Sequence, residues 1–393
     1  MSTINNVIVF SPNGNAVTED DIATHRYSHH TRIWHFNGVT AIAFSSAGVN
    51  EADGGMQCAI SFSSNRGNTW TNAIQAIGSQ SRWTNVYYDT IGDRISYPRN
   101  FQLYNGTNYL VCAVDELWTN TNSTEEVGAA LIACPIYTNQ TIGTQFLIST
   151  NIYARRDERP VVLPELNETM RSAMMPYSKL FGRWGGNTPY FVTEWTHTAI
   201  TGSGFFYEPS TFPADDSGTN YYRFWRVTGD WDTDPGIDAY LVAQQYSTNS
   251  GTTWSAITGT TIPNDPSVTC GVRLADGRFA VLGNPAPYSG LFRDPLYLGL
   301  TAPNSTAITN VWAIRQGLNN ADKLYDGYGK TGACSYVDAV QVGNYLYVSY
   351  SIYKEDIGFS RVLIPGLENN NNDLVSVSTV QNLSIGGNLI ISQ

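Results

Sequence analysis

Short runs of alternating or β-branched residues recur along the chain, each bounded by Gly, Asn, Asp or Pro. They fall at residues 7–10, 40–45, 58–63, 108–114, 131–137, 190–195, 239–246, 278–282, 297–300 and 345–350. Each has the length, alternation and β-branched or aromatic content of a strand. Only residues 321–325 invite a helical reading, and that stretch is brief. Many short strands separated by turn residues predict an all-β sandwich, barrel or propeller.

Two nearly identical segments choose among these. Residues 61–70 read Ser-Phe-Ser-Ser-Asn65-Arg-Gly67-Asn-Thr69-Trp70, and residues 245–254 read Gln-Tyr-Ser-Thr-Asn249-Ser-Gly251-Thr-Thr253-Trp254. In S-x-N-x-G-x-T-W the Asn side chain bonds a tight turn, Gly supplies positive φ, and Trp packs between neighbouring sheets. The pattern resembles the Asp-box of sialidases and related propellers, with Asn in place of Asp. Such a box marks the outer hairpin of a blade, far from the central channel. A degenerate third copy is read at residues 300–312. With blades of roughly 60 residues, somewhat above the kelch length, the chain is expected to form a six-bladed β-propeller with four-stranded antiparallel blades. Residues 1–367 would make the propeller. Residues 368–393, opening on an Asn-rich run, would close the ring or form an appendage.

Composition agrees. A 42% hydrophobic and 12% aromatic content supplies a large core, and 14% charged residues argue against disorder. The net charge of −11 and pI near 4.8 exclude nucleic acid as an expected partner, because phosphate binding needs clustered Lys and Arg. No stretch has the length and apolarity of a membrane span. Cys58, Cys112, Cys134, Cys270 and Cys334 form no C-x-x-C pair, so they read as buried core residues rather than a zinc or redox motif. No phosphate loop or EF-hand loop is present, and no cofactor or metal is expected. The N-terminal residues lack the pattern of a secretory signal. The Asn/Thr-rich, Lys-poor surface nevertheless suggests an extracellular protein or one on a virus or phage particle. Sequons at Asn105, Asn122, Asn139, Asn167, Asn304 and Asn382 do not decide between them.

Propeller ligand groups sit at the ends of inner strands, and five polar segments are placed to supply them. In chain order they offer Arg32, an acid at Glu51 or Asp53, Arg99, Glu208, Arg223, Arg293, Tyr336 and Glu355. Apart from Arg99, that order resembles the sialidase (neuraminidase) active site. There, first arginine, catalytic aspartate, glutamate, two further arginines, tyrosine and final glutamate follow one another. The resemblance implies an exo-glycosidase that removes a terminal acidic sugar such as sialic acid. Arg32, Arg223 and Arg293 would clamp the substrate carboxylate, with Arg99 as a further binding residue. An anionic substrate repels a carboxylate nucleophile, so Tyr336 would attack instead, its proton taken by Glu355 or Glu208. Tyr325 and Tyr328 compete with Tyr336 for that role. Asp53 or Glu51 would protonate the leaving oxygen, and the sugar would retain its anomeric configuration.

Four of the five histidines lie between His25 and His35. His29 and His30 are read as substrate-binding residues. The spacing His25-x3-His29-His30 could converge on a metal, but no further ligand set accompanies it. A His beside a Tyr could also serve as base and acid in a β-eliminating polysaccharide lyase. A third reading is a non-catalytic glycan-binding or structural surface protein of a virus or phage.

Overall fold

A computed structural model describes the chain except residues 1–3, 19–20, 51–55, 78–82, 85–90, 121–122, 149–165, 182–204, 229–239, 266, 286–292, 319–321, 328–329, 331, 367–383, 386–388 and 391–393. The strand expected at 190–195 therefore lies outside the described residues.

Strand β1 (Ile4–Phe10) opens the chain. Blade I follows as β2 (Tyr27–Phe36), β3 (Val39–Ala47), β4 (Gln57–Ser63) and β5 (Ile74–Ile77). Blade II comprises β6 (Trp83–Thr84), β7 (Ile91–Tyr104), β8 (Thr107–Asn120), β9 (Ser123–Ile136) and β10 (Phe146–Leu147). Helix α1 (Glu168–Phe181) comes next. Blade III is β11 (Phe205–Pro213), β12 (Tyr221–Thr228), β13 (Leu241–Ser247) and β14 (Thr258–Pro263). Blade IV is β15 (Cys270–Arg273), β16 (Phe279–Gly283), β17 (Leu296–Thr301) and β18 (Ile308–Arg315). Blade V joins β19 (Cys334–Val342), β20 (Tyr345–Ile352) and β21 (Asp356–Leu363) to β1, which pairs antiparallel with β21. The N-terminal strand thus completes the last blade. Near the C-terminus, β22 (Ser384–Ile385) and β23 (Leu389–Ile390) pair with each other, and among the described residues with no other strand.

Within each blade, successive strands are antiparallel neighbours. Inner strand β2 contacts β19 and β7, while β15 contacts β11 and β19. Helix α1 contacts β7 and β11, and so stands between blades II and III. The described residues form five blades, not the six expected. The two box turns are two blades apart rather than three. Blade II uses three strands of 14 residues each, and helix α1 takes up chain between blades II and III.

That helix was hidden in a β-rich chain. Asn167 Oδ1 accepts the Met170 N–H at 3.0 Å, an N-cap, and Arg171 pairs with Glu168 at 2.6 Å. Met170, Ala173 and Met174, at helical spacing, pack against the Tyr97, Val111 and Leu131 cluster of blade II.

The core lies between adjacent sheets. Ile60 and Phe62 of blade I meet Leu110 and Cys134 of blade II, and Leu282 and Leu298 of blade IV share a cluster with Leu346 and Val348 of blade V. All five cysteines are buried and unbridged. The two box turns carry the same hydrogen bonds. Asn65 Oδ1 and Asn249 Oδ1 each accept a Thr N–H at 2.9 Å, from Thr69 and Thr253. Ser63 and Ser247 Oγ accept the N–H of Gly67 and Gly251 at 2.9 and 3.0 Å. Both glycines have positive φ, near 80°. These turns, and residues 302–307 of the degenerate copy, join the third and fourth strands of their blades. Trp70 packs edge-on against Phe359 of β21, tying blade I to blade V.

Candidate active site

The inner strands of four blades share an irregularity. One extra residue interrupts the pairing between His29 and Arg32 on β2, Pro98 and Asn100 on β7, Tyr207 and Ser210 on β11, and Ser335 and Asp338 on β19. Such bulges break the two-residue alternation and re-aim side chains. His30, Glu208 and Tyr336 sit at these bulges with φ of 52°, 51° and 53°. Arg293, in the loop before β17, has φ of 63°. Left-handed backbone is costly for bulky residues and persists only where the surroundings over-determine it.

These residues converge. The Tyr336 hydroxyl donates a hydrogen bond to Glu208 Oε1. Arg226 Nη1 donates to Glu208 Oε2 at 2.5 Å and to Tyr336 Oη at 3.2 Å. Burial alone would raise the Glu208 carboxyl, but the Arg226 charge and the hydrogen bonds from Tyr336 and Arg226 outweigh it and lower its pKa. The carboxylate is therefore ionised and turned toward a phenol, as a base for that phenol requires.

Positive charge surrounds the pair. Arg293 is buried, and its backbone N–H donates to Asp265 Oδ2 at 2.8 Å. Burial and then the Arg226 charge lower its pKa, opposed by Tyr336, Glu208 and Asp265. Lys354 is buried in the turn between β20 and β21, with φ of 55°. His29 feels Lys354, Arg293 and Arg226, which join burial in pushing its pKa well down. Its ring centroid lies 4.0 Å from that of Tyr336, and the His30 ring lies at 4.8 Å. His25, His29 and His30 each bond a serine hydroxyl through Nδ1, on Ser46, Ser351 and Ser45 respectively. Among the described residues, no three His, Cys, Asp or Glu side chains are grouped to hold a metal.

The remaining expected residues lie elsewhere. Arg32 pairs with Asp338 at 3.5 Å, and both line a cavity of about 500 Å³ with Asn100, Ser210 and Tyr177. Arg32, Asn100, Ser210 and Asp338 each follow the bulge on their strand, while Tyr177 comes from α1. Arg223 stacks 3.8 Å over Trp254 of the second box, and burial lowers its pKa to about 10. Glu355 accepts the N–H groups of Leu324 and Tyr325 at 2.9 and 2.8 Å and pairs with Lys330 at 3.3 Å. It anchors a loop. Tyr325, held in that loop, lies 4.8 Å under the Arg26 guanidinium. Arg99 is buried at the β7 bulge. Glu51, Asp53 and Tyr328 lie outside the described residues.

The sequence reading missed Arg226 and Lys354. Arg226 sits three residues beyond Arg223, opposite Tyr207 and beside the Glu208 bulge. Residue spacing carried no sign of the bulge that selects it.

Residues 192–348 match the profile of the BNR repeat-like domain. No curated protein matches the sequence. A solved structure described as a sialidase superposes on 91% of this chain with a TM-score of 0.66 at 16% identity, and this chain spans 33% of that protein. The NanB sialidase from Streptococcus pneumoniae aligns over 91% of this chain and 70% of its own, with a TM-score of 0.53 at 10% identity. The Hadza microbial sialidase Hz136 aligns over 88% of this chain and 68% of its own, with a TM-score of 0.51 at 10% identity. At these identities the likeness is one of fold.

Proposed function

We propose that this sialidase-like, BNR-repeat β-propeller is a retaining exo-glycosidase that removes a terminal acidic sugar from a glycan. The observation that carries the reading is the Tyr336–Glu208–Arg226 arrangement, a phenol bonded to an ionised carboxylate with Arg226 bonded to both and Arg293 near by.

In the first step Tyr336 Oη attacks the anomeric carbon while Glu208 accepts the phenolic proton. The glycosidic bond breaks, and its oxygen takes a proton from Asp53 or Glu51. In the second step that residue, now a carboxylate, removes a proton from water. The water oxygen bonds to the anomeric carbon, the bond to Tyr336 breaks, and Glu208 returns the proton to the phenolate. Two displacements at one carbon give net retention. Arg226, Arg293 and Lys354 take the place expected of Arg32, Arg223 and Arg293 in holding the substrate carboxylate. Charge-assisted bonds in a partly dry site favour that anion over a neutral sugar. The acidic whole-chain charge does not oppose this, because nearby cations set the field in the pocket.

The lyase reading has one observation in its favour, the half-buried His30 ring beside Tyr336. A single assay separates the two. The protein is incubated with sialosides, other acidic glycosides and uronic-acid polysaccharides, and products are followed by proton NMR and ultraviolet absorbance. Released sugar whose first-formed anomer matches the substrate supports the glycosidase. An inverted anomer, or an unsaturated product absorbing in the ultraviolet, contradicts it.

A further inference from the structure

The reaction above gives no step to His29, although its ring is nearer to Tyr336 than that of His30. His29 is fully buried, so it touches no substrate. Its Nδ1 lies 2.8 Å from Ser351 Oγ on β20, and that oxygen lies 3.0 Å from Ser335 Oγ on β19. Ser335 and Ser351 are themselves buried, and Ser335 immediately precedes Tyr336. The His29 side chain therefore reaches the backbone that carries Tyr336 from both directions, through its ring face and through two hydroxyls. Tyr27 closes edge-on against His29, with ring centroids 5.9 Å apart.

Tyr336 needs such a brace. Its φ of 53°, at the bulge on β19, is one that an aromatic residue holds only under constraint. Its hydroxyl must also meet a carboxylate from another blade. A small rotation of the phenol would break that alignment, and reacting groups tolerate little misplacement.

We infer that His29 is the positioning residue of Tyr336: an imidazole, held by Ser351, against which the phenol packs so that its hydroxyl faces Glu208. The inference rests on Tyr336 being the reacting group. Around this ring stand the cations Lys354, Arg293 and Arg226, with His30 and the phenols of Tyr27 and Tyr336. Burial first, and then Lys354, His30, Arg293 and Arg226, disfavour a charged imidazole. A neutral ring can lie against the phenol without bringing another charge to a site already rich in cations.

The test uses the full chain with His29→Ala, His29→Phe and Ser351→Ala. The first readout is kcat and KM on an aryl sialoside. The second is the NMR signal of Tyr336 in protein labelled with carbon-13 at the tyrosine ζ carbon, assigned through Tyr336→Phe. His29→Ala should lower kcat on the order of 100-fold with little change in KM, and shift the Tyr336 signal. His29→Phe keeps a ring of similar size and should recover much of that loss. Ser351→Ala should fall between the two. A purely structural role would lower thermal stability in both His29 variants and give no recovery by Phe. Unchanged kcat in folded His29→Ala overturns the inference while leaving the hydrolase reading intact. Should the wild type turn over no substrate, the NMR signal decides. A shift in His29→Ala that His29→Phe largely reverses supports positioning although the hydrolase reading has failed, and an unmoved signal, or one that Phe does not restore, overturns it.

Discussion

The Tyr336 hydroxyl donates to the Glu208 carboxylate across 128 positions of sequence and two blades of the propeller. Both residues sit at bulges of inner strands in left-handed backbone, and Arg226 touches both. Together the bulges bring a phenol to a carboxylate, which a regular pleat would keep apart.

Tyr336→Phe removes only the hydroxyl, so the ring contact with His29 remains. Turnover of the acidic glycoside should fall roughly 10³-fold or more while substrate affinity changes little. Stopped-assay kinetics and calorimetric titration check the two halves separately. A variant that keeps wild-type kcat would remove Tyr336 from the mechanism.

Arg226→Met should be the most damaging arginine substitution. The Arg226 and Glu208 side chains are each about 15% exposed, and removing the cation strands a desolvated carboxylate. A loss of about 2–4 kcal/mol of stability is expected, with substrate affinity weakened as well. Arg223→Lys should instead lose about 1 kcal/mol of stacking on Trp254 and leave KM alone. Denaturant unfolding and kinetics on the two variants distinguish an arginine that faces substrate from one that braces a blade.

Folding and candidate site were legible to different depths. The box turns could be read because Ser63, Asn65, Gly67 and Thr69 bond one another within seven residues, and local chemistry determines them. Tyr336, Glu208 and Arg293 could be singled out by residue type and order along the chain. Arg226 could not. Its neighbour Arg223 has the more suggestive spacing, and a bulge between Tyr207 and Ser210 decides which of the two meets Glu208. Arg32 drew attention as the first arginine of the sialidase-like order, yet Asp338 from the adjacent blade claims it. Glu355 was likewise claimed by two backbone N–H groups and Lys330. Such long-range partners have no signature in one sequence. The blade count failed because blade length was taken as uniform, whereas in blade II β7, β8 and β9 each run to 14 residues.

Acid should weaken the fold through two groups of the site. Glu208 has a lowered pKa, so its contribution is present above the unfolded value near 4.3 and lost as pH falls through the folded value. The His29 pKa is also lowered. Between its folded value and about 6.5 the unfolded chain binds a proton that the native ring does not, so stability falls as pH drops through that window. Urea midpoints measured from pH 7 to pH 4 should decline in wild type, and the decline just below pH 6.5 should be shallower in His29→Phe. An identical decline in both would remove His29 as its source.

Gly67 tests the blade I–V seam. A Cβ there would come within 2.1 Å of the Phe359 ring, and φ is +81°. Gly67→Ala should cost about 3 kcal/mol or more, the sum of backbone strain and overpacking. Gly38 has the same φ with nothing within 4 Å, so Gly38→Ala should cost only about 1 kcal/mol. Thermal melts of the pair separate the steric part from the backbone part.

The most direct test of the central claim is mass spectrometry of the protein after exposure to a fluorinated sialosyl fluoride. Fluoride is a leaving group good enough for the first displacement, while the ring fluorine slows the second. The account predicts a single added sugar on the peptide containing Tyr336, with none in Tyr336→Phe. An adduct on another residue, or none from a protein that hydrolyses the parent sialoside, would contradict it.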